Sequence, residues 1–466
     1  MSYILFCSCI PSLETDPLNV CHVNGSECSG HVFHGDDVTV VAEWDLVCGR
    51  RWVKSTITSV QMAGVLLGAV LAGQLGDRFG RRKSLYSFVS LHILLNVIAA
   101  VSTSWVMFAV LRFFLGICMG AILVIVIPFS MEFLPIKYRP LLGIIPSWTL
   151  GVAIFSLAAF LLKDWSHLHI ACAVCSVPSL LGGLFVPESI RWLATQGRLD
   201  EAMDVFKKIS RVNKKPLPTQ TADVLQNILQ KEKHSLSESH QYSYLDVFRG
   251  FRMAKATVII MFFYFSMSVS FYGISFGVGN LFGSVYLNMF LMGFIEVPVQ
   301  VSTFFMNNRF GRKYTSMFFF FACSFSCAGC IVAHLCAGPE ARGPAIRALS
   351  IIAKMMIGCA WSCISVWGSE FYPTVTRSLG VGFTSVGARI GGILAPFIID
   401  LESSVTFSYS FMTAVFMICT GLSAALEETF GKELANSLVT SQDHHFTPVP
   451  TVVNGDKDKG NPEQHV

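Results

Sequence analysis

The sequence predicts an all-α membrane protein, and three observations predict it. Charged residues make up 14% of the 466-residue chain and apolar ones 53%, whereas a soluble domain carries about 25% charged residues. Uncharged apolar runs long enough to cross a bilayer recur along the chain. The basic residues between those runs crowd into alternate loops. Together these exclude a soluble enzyme or a nucleic-acid binder. The net charge of +4 resides in loops and says little about partners other than the lipid bilayer.

A spanning helix needs about 20 predominantly apolar residues. Ser55–Leu75, Pro140–Leu162, Tyr314–Pro339 and Ser403–Leu426 meet that length without a charge. Ala256–Ile295 is long enough for two spans, divided near Gly277–Gly279. Read in order, the pattern gives eleven spans, near 55–75, 84–102, 105–130, 141–162, 168–186, 256–276, 280–305, 315–337, 347–368, 378–399 and 404–426. The expected organisation is an external segment 1–54, a first bundle 55–186, a polar insert 187–254, a second bundle 255–427 and a tail 428–466.

Orientation follows from the Lys/Arg bias of short loops. One set of loops holds Arg78, Arg81, Arg82, Lys83, Lys137, Arg139, Arg309, Arg312, Lys313 and Arg377, and the alternate set holds Lys163 and Arg342. The first set is therefore expected in the cytoplasm, with the insert and the tail. Residues 1–54 then lie outside, yet they contain no span and no secretory leader, since Met1–Ile10 is short and lacks a basic start. Of fifteen cysteines, ten fall in apolar segments and read as inert buried thiols. The other five, Cys7, Cys9, Cys21, Cys28 and Cys48, precede the first span. An odd number there points to an absent partner.

The most specific signal is an internal repeat. Asp77-Arg78-Phe79-Gly80-Arg81-Arg82-Lys83 recurs as Asn308-Arg309-Phe310-Gly311-Arg312-Lys313. Glu132-x-x-Pro135-x-x-x-Arg139 recurs as Glu370-x-x-Pro373-x-x-x-Arg377. Both pairs sit at matching places in two membrane halves. The second half holds six spans and the first five, so the expectation is a chain lacking the first span of its first half. Acidic and basic groups at facing helix ends can form ion pairs and meet helix dipoles across a cytoplasmic seam. Gating by Asp77, Arg78, Arg81, Glu132, Arg139, Arg309, Arg312, Glu370 and Arg377 is expected on that ground. For the basic residues, a plain role in setting topology is the competing account.

Gly73-x-x-x-Asp77-Arg78-x-Gly80-Arg81-Arg82 resembles the signature loop of the major facilitator superfamily, whose fold has twelve helices in two bundles. Glu43-Trp44-Asp45-Leu46-Val47-Cys48, Pro187-Glu188-Ser189-Ile190-Arg191-Trp192-Leu193 and Glu370-Phe371-Tyr372-Pro373-Thr374 resemble one branch of it. That branch is the organic cation, anion and carnitine transporters, solute carrier family 22. The resemblance implies a plasma-membrane transporter of small organic ions working by alternating access. It also implies a disulfide-bonded, glycosylated loop before the Glu-Trp-Asp-Leu stretch. Cys21, Cys28, Cys48 and the Asn24-Gly25-Ser26 sequon are what this chain holds of that loop, with Asn24 the expected glycan site. Asn308 departs from the Asp that the signature loop usually carries, which weakens a second-half ion lock.

Ionisable residues inside spans are candidates for function. Arg389, among Gly387, Gly391 and Gly392, is either a structural salt-bridge partner or the anchor of a substrate carboxylate or sulfate, for which its guanidinium fork is suited. In the resembled family this position carries Arg in anion and carnitine transporters and Asp in cation transporters, which implies an organic anion or a carnitine-like zwitterion. Lys354 either shares that charge or snorkels to a lipid headgroup. Glu296 must pair with a cation or take a proton, since an uncompensated buried carboxylate is costly; it would be the counter-ion if the substrate were a cation. Arg112, with Gly116, resembles a superfamily feature that bonds to the backbone of the adjacent helix. His92 and Asn96 read as satisfied polar packing. Tyr264 and Tyr272 roughly share one face of an aromatic-rich span, and the resemblance puts Tyr272 on the cavity side. Lys207, Lys208, Arg211, Lys214 and Lys215 mark an amphipathic helix in the insert. No nucleotide loop, metal cluster or catalytic triad is present, so no enzyme, cofactor or metal is expected. A truncated product without transport activity is the remaining rival.

Overall fold

A computed structural model describes residues 38–133, 147–216, 250–276, 284–372, 377–400 and 405–430, with a few short stretches besides. Asn24 and Arg139 lie outside the described residues, as do the side chains of Asp77 and Arg377. Among the described residues, strands are confined to the segment before the first long helix. There β1 (Leu5–Cys7) pairs antiparallel with β4 (His31–Phe33), and β2 (His22–Val23) with β3 (Ser26–Glu27).

The first bundle begins with a one-turn helix, α1 (Val40–Glu43), and continues through α2 (Trp52–Phe79), α3 (Arg81–Ala100), α4 (Trp105–Phe133), α5 (Ser147–Leu162) and α6 (Trp165–Gly182). Two shorter helices follow in the insert, α7 (Ile190–Thr195) and α8 (Leu199–Asn213). The second bundle holds α9 (Phe251–Phe276), α10 (Val285–Phe294), α11 (Glu296–Phe310), α12 (Arg312–Cys336), α13 (Pro339–Phe371), α14 (Arg377–Asp400) and α15 (Val405–Ala425). Among the described residues nine helices are long and apolar enough to cross a membrane, with α10 and α11 counting as one span. α5 and α6 are shorter, and α6 carries His167 and His169. Each of the eleven expected spans coincides with one of these segments.

The expected span 280–305 is broken at Ile295. Pro298 has no N–H to offer the carbonyl of Phe294, and a helix loses a rung there. Glu296 is thereby placed in the first turn of α11, where a carboxylate meets the positive end of the helix dipole. α8 has the strongest segregation of polar and apolar faces, packing Ala202 beside Leu193 and Ala194 while Lys207 and Lys208 face outward. This is the amphipathic helix expected of the insert.

Glycines set the closest helix approaches. A Cβ on Gly64 or Gly68 of α2 would strike the carbonyls of Phe113 and Ile117, and one on Gly116 or Gly120 of α4 those of Gln61 and Val65. Membrane helices associate through such small-residue contacts because lipid offers no hydrophobic drive between them. Gly387 and Gly391 do the same for α14 against Met261 and Phe265 of α9. The second bundle has one large core around Phe263, Phe320, Ile357, Trp367 and Phe416, with a small satellite at Met253 and Tyr372. In the first, the core is divided into smaller groups, one of them joining Leu46 to Val53, Ile57 and Phe108.

The repeat appears in the packing. By sequence α2 corresponds to the α10–α11 span, and α5 to α14. Contact between the halves is made by α2 with α14 and by α5 with α10, the same two positions exchanged. Two bundles related in this way form a pseudo-symmetric seam. Ser59 of α2 donates to the carbonyl of Ile393 of α14 across 2.7 Å. Phe160 of α5 meets Tyr286 of α10 edge-on at 5.7 Å.

Candidate functional site

A cavity of about 350 Å³ opens on this seam and is lined from both halves. α2 contributes Thr58, Gln61, Met62 and Val65, α4 Arg112, Met119 and Leu123, and α5 Val152. From the second half come Phe271, Tyr272 and Ser275 of α9, Met289 and Met292 of α10, Lys354 of α13 and Arg389 of α14. Three lining side chains are cationic, and among the described residues the lining contains no carboxylate. The volume lies within the range of small-molecule sites.

Arg389 reaches this cavity where Gly387 and Gly391 bring α14 against α9, and a Cβ on Gly392 would touch the Tyr272 ring at 3.4 Å. Arg389 and Tyr272 are electrostatic neighbours. The Arg389 Nε is buried and meets no acceptor among the described residues. Lys354 is 6% exposed. Its Nζ lies 3.7 Å from the Met292 sulfur and 4.8 Å from the centre of the Phe271 ring, so it points inward and does not reach for a headgroup.

Tyr264 and Glu296 do not line the cavity. The Tyr264 hydroxyl donates to Ser365 at 3.4 Å and its ring meets Trp361 edge-on. Eight helical residues advance about 80° beyond two full turns, enough to take Tyr264 off the face that Tyr272 occupies. Glu296, 4% exposed, lies beyond Lys354 against Gly358.

The Arg112 Nε meets no acceptor among the described residues, and its guanidinium lies over the Phe108 ring at 5.4 Å. It also lines a larger cavity of about 710 Å³, walled by the first bundle with Met289 of α10 at its edge. There Asn96 donates to the His92 carbonyl at 2.8 Å, and His169 Nδ1 donates to the Asn96 side-chain oxygen at 2.9 Å. The corresponding place in the second bundle, beside α13, α14 and α15, is filled by α9. The smaller cavity, which draws its lining about equally from the two halves, is therefore the better candidate for a ligand site.

At the basic ends of the bundles the repeat is chemical as well as sequential. Arg81 pairs with Glu132, and the Ser189 hydroxyl donates to the same carboxylate. Arg312 pairs with Glu370 at 3.2 Å, and the Thr429 hydroxyl donates to that carboxylate. Glu188 accepts the backbone N–H of Arg82 at 2.8 Å. Glu428 accepts those of Arg312 and Lys313, each at 3.0 Å. Each glutamate satisfies donors that the start of α3 or α12 leaves orphaned. These pairs join helices within one half, where the sequence reading expected pairs across the seam. Arg78 rests over the Phe79 ring, and Arg309 is exposed.

Glu188-Ser189 and Glu428-Thr429 are thus hydrogen-bond partners of the repeated Arg–Glu pairs that sequence reasoning missed. The Pro-Glu-Ser stretch was visible, but its counterpart shares one identical residue and a hydroxyl, too little to register as a repeat. The ten described cysteines are all free, as expected for those in apolar segments.

Comparison with known proteins shows the family and the fold. The profile of the sugar (and other) transporter family matches residues 41–436. The chain is 32% identical to mouse solute carrier family 22 member 7 over 84% of its own length and 71% of that protein's. It is 30% identical to human member 7, covering 94% of the chain and 79% of the relative. Human solute carrier family 22 member 16 is 30% identical over 86% and 69% of the two lengths. Among solved structures, the partially occluded inward-open xylose transporter XylE from E. coli superposes with a TM-score of 0.65 at 18% identity, over 83% of this chain and 90% of that one. This places the two bundles in the major facilitator fold.

Proposed function

Since the chain belongs to solute carrier family 22, multi-pass membrane transporters of the major facilitator type, we propose that it carries small organic anions or carnitine-like zwitterions. One observation bears most of this reading. Arg112, Lys354 and Arg389 converge on a seam cavity with aromatic walls and no carboxylate among its described lining. A cation would enter against three like charges, and Glu296, its only acidic candidate in the sequence reading, stands behind Lys354. Arg389 binds the negative group through its guanidinium fork, and Phe271 and Tyr272 cover the hydrophobic body. Because the cavity is walled by both halves, a rocking of one bundle against the other exposes it to each side in turn. The paired Arg–Glu clamps keep each bundle rigid during that motion. The basic loops face the cytoplasm, Asn24 carries the external glycan, and the protein works at the plasma membrane.

The test is uptake of labelled 1-naphthalenesulfonate, carnitine and tetraethylammonium into vesicles reconstituted with the full chain. Saturable uptake of the sulfonate or carnitine, and not of the ammonium ion, is expected. Arg389→Ala removes charge-assisted hydrogen bonds of about 1.5–3 kcal/mol, so kcat/KM should fall about ten- to hundredfold. Flux of the ammonium ion alone, or no flux of any, would remove the reading.

A further inference from the structure

The basic side of α8 has no part in carrying a solute. Charge along this helix is segregated. Asp200, Glu201 and Asp204 lie in its first two turns, where Glu201 accepts from Arg198 at 2.7 Å and Asp204 from Lys207 at 3.1 Å. Past them come Lys208, Arg211, Lys214 and Lys215, all exposed, with no acidic residue between. The opposite side is already covered, since Ala202 packs with Leu193 and Ala194 of α7 and with Leu225. α8 therefore needs no bilayer to bury an apolar face. Its basic face is what remains to be met.

α6 fixes the depth of that face. Lys208 Nζ donates to the Phe185 carbonyl at 2.9 Å. Two residues earlier, the Gly183 carbonyl accepts from the Arg82 guanidinium at 3.1 and 3.2 Å. Cations from two helices thus converge on the carbonyl end of α6, which a helix dipole favours. Leu184 and Phe185, in the turn that follows α6, are 69% and 76% exposed. In a chain that spans a bilayer, apolar side chains so exposed face acyl chains. Lys208 accordingly stands where hydrocarbon gives way to headgroups. Arg211 and Val212 lie at i+3 and i+4 from it and share its stripe of the helix. Lys83 adjoins Arg82, exposed, at the start of α3. Glu188, the carboxylate at this corner, accepts the backbone N–H groups of Arg82 and Ser189.

We propose that this corner binds a phospholipid with a multiply phosphorylated headgroup, a polyphosphoinositide. Its phosphates meet Lys83, Lys208, Arg211 and the Lys214–Lys215 pair, and its acyl chains lie along Leu184 and Phe185. Basic clusters of this size beside a membrane helix attract anionic lipids, each cation adding about fivefold in affinity. A headgroup with a single phosphodiester reaches few of these cations at once, so multiple charge is what the corner selects. The lipid joins α8 to the start of α3. Through α7, whose Ser189 donates to Glu132, it also steadies the Arg81–Glu132 pair. None of this depends on which solute the seam cavity takes.

The test is microscale thermophoresis of the purified full chain in neutral detergent with dioctanoyl phosphatidylinositol bisphosphate. Dioctanoyl phosphatidylcholine, which lacks the charge, and inositol trisphosphate, which lacks the acyl chains, are the comparisons. The bisphosphate lipid should bind at least about tenfold more tightly than either. Lys208→Gln together with Arg211→Gln should weaken it about 25-fold, about fivefold for each charge. Equal affinity for phosphatidylcholine overturns the proposal, and equal affinity for inositol trisphosphate makes the corner a soluble-phosphate site instead. An unchanged Kd in the double variant puts the lipid elsewhere and overturns it as well. Lys83→Gln, on a different helix, should cost about fivefold; it keeps the location testable if the α8 variant does not fold.

Discussion

Gly80 and Gly311 adopt φ of 102° and 85°, with ψ of 148° and 171°. That region of backbone space is essentially closed to residues with a Cβ. Each glycine also faces a glutamate oxygen, from Glu188 or Glu428, at a separation that a Cβ would violate. The two demands are linked: the extended left-side turn aims the following N–H groups outward, and the glutamate arrives to accept them. Gly311→Ala should therefore destabilise by about 1–3 kcal/mol, read as a lower thermal midpoint of the detergent-solubilised protein, with Gly80→Ala behaving alike. An unchanged midpoint would show that the turn relaxes freely. The glycines were visible in the repeat because both halves carry them. The glutamates were not, because a carboxylate that caps a distant helix leaves no local pattern.

Helices were legible to the extent that apolar runs define them, and less where backbone chemistry does. All eleven runs became helical segments, yet the 280–305 run is divided by Pro298, and α13 starts at Pro339, ahead of its apolar window near 347. Pro at a first helical position is pre-organised for the helix and loses no bond there, so the start follows the cap and not the hydropathy. The clamps at the basic ends belong to this scale too. Arg312 and Glu370, with side chains 14% and 19% exposed, share Thr429 and the start of α12. Arg312→Gln and Glu370→Gln should be strongly non-additive, with a coupling of about 0.5–3 kcal/mol in a double-mutant cycle of thermal or denaturant stability. Simple additivity would mean that the pair is a surface contact with no mechanical part.

The seam could be read from the sequence only as a symmetry. Two halves in register imply matching contacts, but not which helices make them, because those depend on how small residues let the bundles approach. Of the expected site residues, the seam cavity gathers Arg389, Tyr272 and Lys354. It leaves Tyr264 in the core and Glu296 one layer behind, a distinction of about a quarter turn or a single helix layer that hydropathy does not encode. At the end of the seam away from the basic loops, Ser59–Ile393 and Phe160–Tyr286 join the halves. Bridging Phe160→Cys to Tyr286→Cys with a short reducible thiol reagent should arrest uptake at least about tenfold, and reductant should restore it, if opening there is part of each cycle. Full uptake with the bridge in place would require another route for the solute.

The clamp bonds named above each join a bundle to the stretch that directly follows it: Arg81, Arg82 and Glu132 to Glu188 and Ser189, and Arg312, Lys313 and Glu370 to Glu428 and Thr429. Architecturally the molecule is a heterodimer whose two subunits share one polypeptide. The peptide between them guarantees equal numbers and common delivery to the membrane, and the recognition of one subunit by the other is left to the pairing of α2 with α14 and of α5 with α10.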